Sequence, residues 1–186
     1  SETWTIGDGT KNNPYQNNSE ANLAFLAAQV NSGTDYSGVY FKQTADLDLG
    51  GIQNADGTWD EVNSIQWIPI GTYDDNADLS KDNGGKAFKG HYDGDRFVIS
   101  NLYINNSGAS AIGLFGSVRG TLKNITVING FIYGYQYSGG ICGALKNGTI
   151  SCCANNATVY GKMERNGGVC GWAESATITD CINYGF

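Results

Sequence analysis

At 186 residues, with 40% hydrophobic and 16% charged residues, the chain has room for one domain with a buried core. That balance excludes a disordered tail, and no apolar run nears the ~20 residues of a transmembrane helix. Eleven Lys+Arg against 18 Asp+Glu leave a net charge of −7, which argues against nucleic acid as a partner.

In chain order, Ser1-Glu2-Thr3-Trp4 does not read as a signal peptide, so either one has been removed or the chain is an excised segment. Ser19 then opens a run with Leu23, Leu26, Ala27 and Val30 on one face, closed by Gly33. That spacing predicts a capped amphipathic helix over residues 19–31. Residues 39–49 follow, with Phe41, Ala45, Leu47 and Leu49 sharing a face by period-two counting. Residues 50–85 are loop-rich and acidic, interrupted by the apolar segment 65–71, whose Trp67 and Ile70 are expected in the core. Within that loop Asp74, Asn76 and Asp78 begin like a calcium loop. Leu79 and Gly85 stand where such a loop needs Gly and Glu, so a looser calcium site competes with a solvated acidic loop.

From residue 113 onward the sequence repeats. Gly113-Leu114-Phe115-Gly116 returns as Gly140-Ile141-Cys142-Gly143 and Gly168-Val169-Cys170-Gly171, at intervals of 27 and 28 residues. A second block begins at Thr121, Thr149 and Thr177, and a third is Phe131-Ile132-Tyr133-Gly134 with Thr158-Val159-Tyr160-Gly161. Residues 98–104 are expected to be a diverged copy of the second block. Each unit holds three short β-favouring runs, and one unit cannot bury its own apolar face, whereas stacked copies can. The pattern predicts an all-β fold: a right-handed parallel β-helix with three strands per coil, from residue 38 to 186, behind a cap of residues 1–37 containing the helix. Leu122, Ile150 and Ile178 would form one inward column, and Ile125, Cys153 and Cys181 another. Asn101, Asn124, Cys152 and Asp180 fall where a bend is needed, and asparagine tolerates left-handed backbone.

Gly113-Leu114-Phe115-Gly116 resembles the core of the GLUG repeat family. Trp67-Ile68-Pro69-Ile70-Gly71 and Phe88-Lys89-Gly90-His91-Tyr92-Asp93-Gly94 are similar to the lead-in common in such proteins. Asn12, Pro14, Tyr15, the helix at 19–31 and residues 45–49 are similar to its N-terminal region. Cys142 and Cys170 depart from it, standing where Phe115 does. The resemblance implies secreted or surface-anchored bacterial proteins, often adhesin-like or beside immunoglobulin-cleaving proteases, and no shared catalytic residues.

Two functional readings follow. The preferred one is a non-catalytic module acting in adhesion, ligand binding or as a rigid spacer, with a glycan or protein of a host or cell surface as partner. Its candidate binding residues are Tyr133, Tyr135, Tyr137 and Tyr160, aromatic rings near the third-strand turns, the first three on one side if the strand continues through Gly134. Ring stacking that stabilises the rungs is the favoured alternative for them. The other is a polysaccharide-active, lyase- or hydrolase-like β-helix, with carboxylates drawn from Asp93, Asp95 or Glu164 and Asp180, beside His91, Arg96 and Arg165. Turns between strands explain those carboxylates more simply. Beyond calcium, no cofactor is expected. One histidine and no C-x-x-C pair argue against zinc, and register-matched Cys142/Cys170 and Cys153/Cys181 read as buried thiols. The third repeat stops after its second block, which predicts further domains of the same polypeptide beyond Phe186 and end-to-end association in isolation.

Overall fold

Val, Ile, Tyr and Thr in runs too short for helices, each stopped by Gly or Asn, fold as strands whose apolar faces need neighbours. The computed structural model describes residues 3–74 and 85–186. In it the runs stack as three parallel sheets around a common core. The first sheet has six strands: β1 (Tyr15–Asn17), β2 (Tyr40–Gln43), β4 (His91–Asp93), β7 (Thr121–Lys123), β10 (Thr149–Ser151) and β13 (Thr177–Thr179). The second contains β3 (Leu47–Asp48), β5 (Val98–Asn105), β8 (Thr126–Gly134), β11 (Ala154–Gly161) and β14 (Ile182–Asn183). The third contains β6 (Phe115–Val118), β9 (Cys142–Lys146) and β12 (Cys170–Glu174), extended by parallel bridges from Ile70 and Phe88. This is a β-solenoid of about six coils.

The expected register holds in the repeats. Leu122, Ile150 and Ile178 are Cα partners on successive rungs, and the column continues backward through Tyr92, Phe41 and Tyr15. Leu122 and Ile150 are fully buried, whereas Ile178, on the last rung, is 40% exposed. The second glycine of the first repeated block has a packing reason. A Cβ on Gly143 would lie 2.5 Å from the backbone of Ala111, and one on Gly171 would lie 2.6 Å from that of Tyr137 and Ser138. The neighbouring rung crosses too closely for any side chain there.

Corners are made by left-handed residues in columns. Asn124, Cys152 and Asp180 have φ of 56°, 54° and 55°, and Ala111, Tyr137 and Arg165 form a second such corner at 60°, 54° and 66°. Asn101 also has positive φ, but it belongs to a different column, where Asn129 donates to its Oδ1 at 2.8 Å. Residues 98–104 are therefore a copy of 126–132, not of the second block, whose earlier copy is β4. Two added residues at the Asp95-Arg96 corner, both with positive φ, displace the spacing and hid that equivalence.

The helix α1 (Glu20–Asn31) forms where expected, with the Ser19 hydroxyl accepting from the amide of Asn22 at 3.1 Å. Leu23, Leu26, Ala27 and Val30 pack on the end of the core. It does not precede the solenoid, however. β1 already pairs with β2, so the first coil starts at Tyr15 rather than residue 38, and α1 occupies the part of that coil where other coils place strands. A three-residue strand carries too little periodicity to be read in isolation. The alternation over 39–49 breaks at a bend, so that Gln43 rather than Ala45 is buried, its amide donating to the carbonyls of Ala45 and Val98 at 3.0 and 3.3 Å. Trp67 and Ile70 are core, and the Trp67 indole donates to the Leu114 carbonyl at 3.1 Å.

Candidate functional site

The outer face of the second sheet carries a run of aromatic side chains, of which Tyr160 is exposed, Phe131 and Tyr133 are half-buried and Tyr103 is buried. Period-two alternation turns Ile132 inward and Phe131 and Tyr133 outward. Parallel register then stacks Tyr103, Phe131 and Thr158 in one outward column, and Asn105, Tyr133 and Tyr160 in the next. The rings of Tyr103 and Phe131 lie 5.8 Å apart at 23°, and Tyr160 reaches back to Phe131 at 5.9 Å.

Trp59 extends this platform. It stands on a hairpin in the loop between the second and third sheets, where Gln53 pairs with Trp59 across a turn at Asp56 and Gly57. The Asp56 carboxylate accepts from the amide and hydroxyl of Thr58 at 3.0 and 2.6 Å. These hydrogen bonds hold that carboxyl below its ordinary range. The hairpin lies close to the sheet: a Cβ on Gly51 would sit 2.7 Å from the Asn101 carbonyl and 2.9 Å from the Trp59 ring. Glycine there lets the loop bring Trp59 within 6.1 Å of Tyr103 and 6.4 Å of Phe131. The result is a shallow groove of about 320 Å³ with an aromatic floor and a polar rim of Gln53, Thr58, Glu61 and Thr158.

Of the four tyrosines expected to act together, the structure brings two onto this face. Tyr133 and Tyr160 are register partners, and Tyr160 is 53% exposed. Strand β8 ends at Gly134, so the alternation that would align Tyr135 and Tyr137 with them does not continue. Tyr135 sits in the corner, its amide donating to the Ala109 carbonyl at 2.8 Å. Tyr137 is buried on the side of the third sheet, against Trp172 and Tyr73, with its hydroxyl accepting from Arg165 at 2.8 Å. Left-handed backbone at residue 137 swings the ring away from the sheet. Trp59, Tyr103 and Phe131 escaped the sequence reading. The one local signal was the Asp-Gly turn two residues before Trp59, which marks a hairpin but not where it lies.

Three of the carboxylates weighed for catalysis are paired with a neighbouring cation. Asp93 accepts from Asn124 at 3.0 Å and lies 3.8 Å from Lys123. Asp95 lies 3.3 Å from Lys42, and Glu164 lies 3.8 Å from Arg165, whose guanidinium also covers the Tyr137 ring. Asp180 is the left-handed corner residue of the last rung. Of the calcium candidates, Asn76 and Asp78 lie outside the described residues. Asp74 is described, and no metal-binding cluster of His, Cys, Asp and Glu occurs among the described residues.

No family model matches the chain. It is 35% identical over 157 residues to a halomucin of Haloquadratum walsbyi, covering 83% of this chain and 2% of that protein. It is 29% identical over 136 residues to a provisionally named Gly-rich membrane protein of Evansella cellulosilytica, covering 71% of this chain and 13% of the relative. The chain thus spans a small fraction of the relatives it matches. Among solved structures, a provisionally assigned immunoglobulin A1 protease from Bacteroides ovatus superposes with a TM-score of 0.58 at 21% identity. That match covers 98% of this chain and 60% of the other, and it establishes the fold alone. The chain is a β-solenoid.

Proposed function

We propose that this chain is a non-catalytic β-solenoid module of a secreted or surface-associated protein, and that the aromatic face of its second sheet binds a neutral glycan. The observation that carries the reading is the set of rings Trp59, Phe131 and Tyr160, packed around the buried Tyr103 ring, with a polar rim beside it. Sugar rings present C–H faces that pack on aromatic surfaces, while their hydroxyls need hydrogen-bonding partners at the edge. Half-buried Trp59 and Phe131 and exposed Tyr160, backed by the buried Tyr103 ring and flanked by Gln53, Glu61 and Thr158, meet both needs. The relatives support a surface setting, since one is named a membrane protein and the other a halomucin. The resemblance of Gly113-Leu114-Phe115-Gly116 to GLUG repeats points the same way, toward adhesin-like proteins. The pairing of Asp93, Asp95 and Glu164 with neighbouring cations favours a binding role over general acid–base catalysis.

A glycan array probed with the wild-type chain and with Trp59→Ala and Phe131→Ala, with and without calcium, tests the proposal. Each variant should weaken binding to the neutral glycans captured by the wild type roughly two- to tenfold, the worth of one lost stacking contact. Capture of the same glycans by both variants at wild-type strength would remove the aromatic face from the account.

A further inference from the structure

A second groove, of about 510 Å³, lies on the outer side of the first sheet. Two outward ladders make its floor. Tyr40, His91 and Thr121 are register partners in one, and Lys42, Asp93 and Lys123 in the other. The Tyr40 and His91 rings stack at 4.2 Å and 17°. Its wall is the turn at residues 8–14, closed by the pairing of Thr10 with Asn13. The Asp8 carboxylate braces that turn, accepting from the amide and hydroxyl of Thr10 at 3.0 and 2.7 Å. Both surfaces are therefore in place before any ligand arrives, which lowers the ordering cost of binding.

We propose that this groove is a second binding site, taking a sugar ring that carries a carboxylate. Lys11, Lys42 and Lys123 converge on it in a chain whose net charge is −7. Asp93 and Asp95 offset two of these cations, at 3.8 Å from Lys123 and 3.3 Å from Lys42. Lys11 is exposed and has no ion pair among the described residues, so one positive charge is left to meet an anion. Amides and hydroxyls of Asn12, Gln16 and Thr121 also line the groove and suit sugar hydroxyls. A volume of this size admits a ring rather than an ion alone. The cations are separate lysines on different elements. They form neither an arginine fork nor a nest of backbone amides, the arrangements that single out a bare phosphate.

His91 lies on the floor and is the single histidine of the chain. Its imidazole is held below 6.5, first by burial and then by the nearby charges of Lys123 and Lys11. Lys42, Asp93 and Asp95 are the other charged groups around it. A bound carboxylate would offset the lysines and favour the imidazolium. Binding should therefore raise the His91 pKa, and affinity should fall as pH rises through that value.

The test is a proton-NMR titration of the His91 ring resonance in the full chain, which needs no assignment. The three probes are trigalacturonate, maltotriose as a neutral sugar of equal length, and inorganic phosphate. Trigalacturonate should raise the His91 pKa by roughly half a unit or more, and the other two should leave it in place. Lys11→Gln and Lys123→Gln should each lower the trigalacturonate affinity at least about fivefold. No shift with trigalacturonate would overturn the proposal. An equal shift with phosphate would also overturn it, reducing the groove to a general cationic patch.

Discussion

Cys152 occupies a corner whose backbone favours a different residue. Its φ of 54° matches that of Asn124 one rung earlier, and the Asn124 side chain uses the position to donate to Asp93 at 3.0 Å. Asparagine bears left-handed backbone with less strain than cysteine, and Cys152 is exposed. Cys152→Asn should therefore stabilise the chain by about 0.5–1 kcal/mol in urea denaturation; an unchanged or lowered midpoint would count against this view of the corner. The buried thiols behave differently. Burial pushes Cys153 from 9.0 up to about 12 and holds Cys142 well above its ordinary value. A folded pKa above the unfolded one means the stabilisation is complete below pH 9 and is lost as pH climbs toward 12. Stability should fall above pH 9 by about 1.4 kcal/mol per pH unit for each such thiol, and Cys153→Val should flatten that slope. A flat alkaline profile in the wild type would contradict the protonated, buried state.

Elements differ in how much of their placement is local. Strands β7 to β13 and α1 were legible because their apolar residues recur at strand and helix periods and their stops are Gly, Asn or a Ser cap. Strand β1 was not, since three residues have no period and Tyr15 becomes inward only by pairing with Phe41. The aromatic face was half legible for a related reason. Tyr133 and Tyr160 sit in the repeat itself, whereas Trp59 and Tyr103 join them only through a hairpin folded across the sheet and a rung outside the recognised repeats. The segment containing Trp67 is the reverse case, an apolar run in a loop whose core position could be read directly. Trp67 is 7% exposed and bonded to the Leu114 carbonyl, tying the loop after β3 to the third sheet. Trp67→Ala should cost ~3–5 kcal/mol, read from urea midpoints. A loss below about 1 kcal/mol would mean that the ring anchors nothing.

Across the whole molecule, burial is graded along the solenoid axis. The central rungs hold fully buried Phe115, Leu122, Ile125 and Ile150, and the first coil includes α1, whose Leu23, Leu26 and Val30 are buried. The last rung leaves Ile178 and Ile182 40% and 49% exposed, and β12, β13 and β14 are edge strands of their sheets. In a stack where each coil contacts only its neighbours, local stability follows local burial. Amides of β13 and β14 should exchange with solvent deuterium well before those of β7 and β8, and uniform protection of all four strands would contradict a graded stack. The same architecture leaves the outer faces of the first two sheets free to differ without disturbing the core. One carries lysines and a histidine, the other a row of aromatic rings.

The proposed function rests on the Trp59 platform, and the indole N–H resonances of the chain test it most directly. Trp59 lies on the groove floor, whereas Trp67 is buried with its N–H on a carbonyl and serves as an internal control. During titration with neutral oligosaccharides selected on the array, the Trp59 indole cross-peak should move progressively to saturation while that of Trp67 stays in place. Saturable binding that leaves the Trp59 cross-peak unmoved would place the glycan elsewhere and contradict the account.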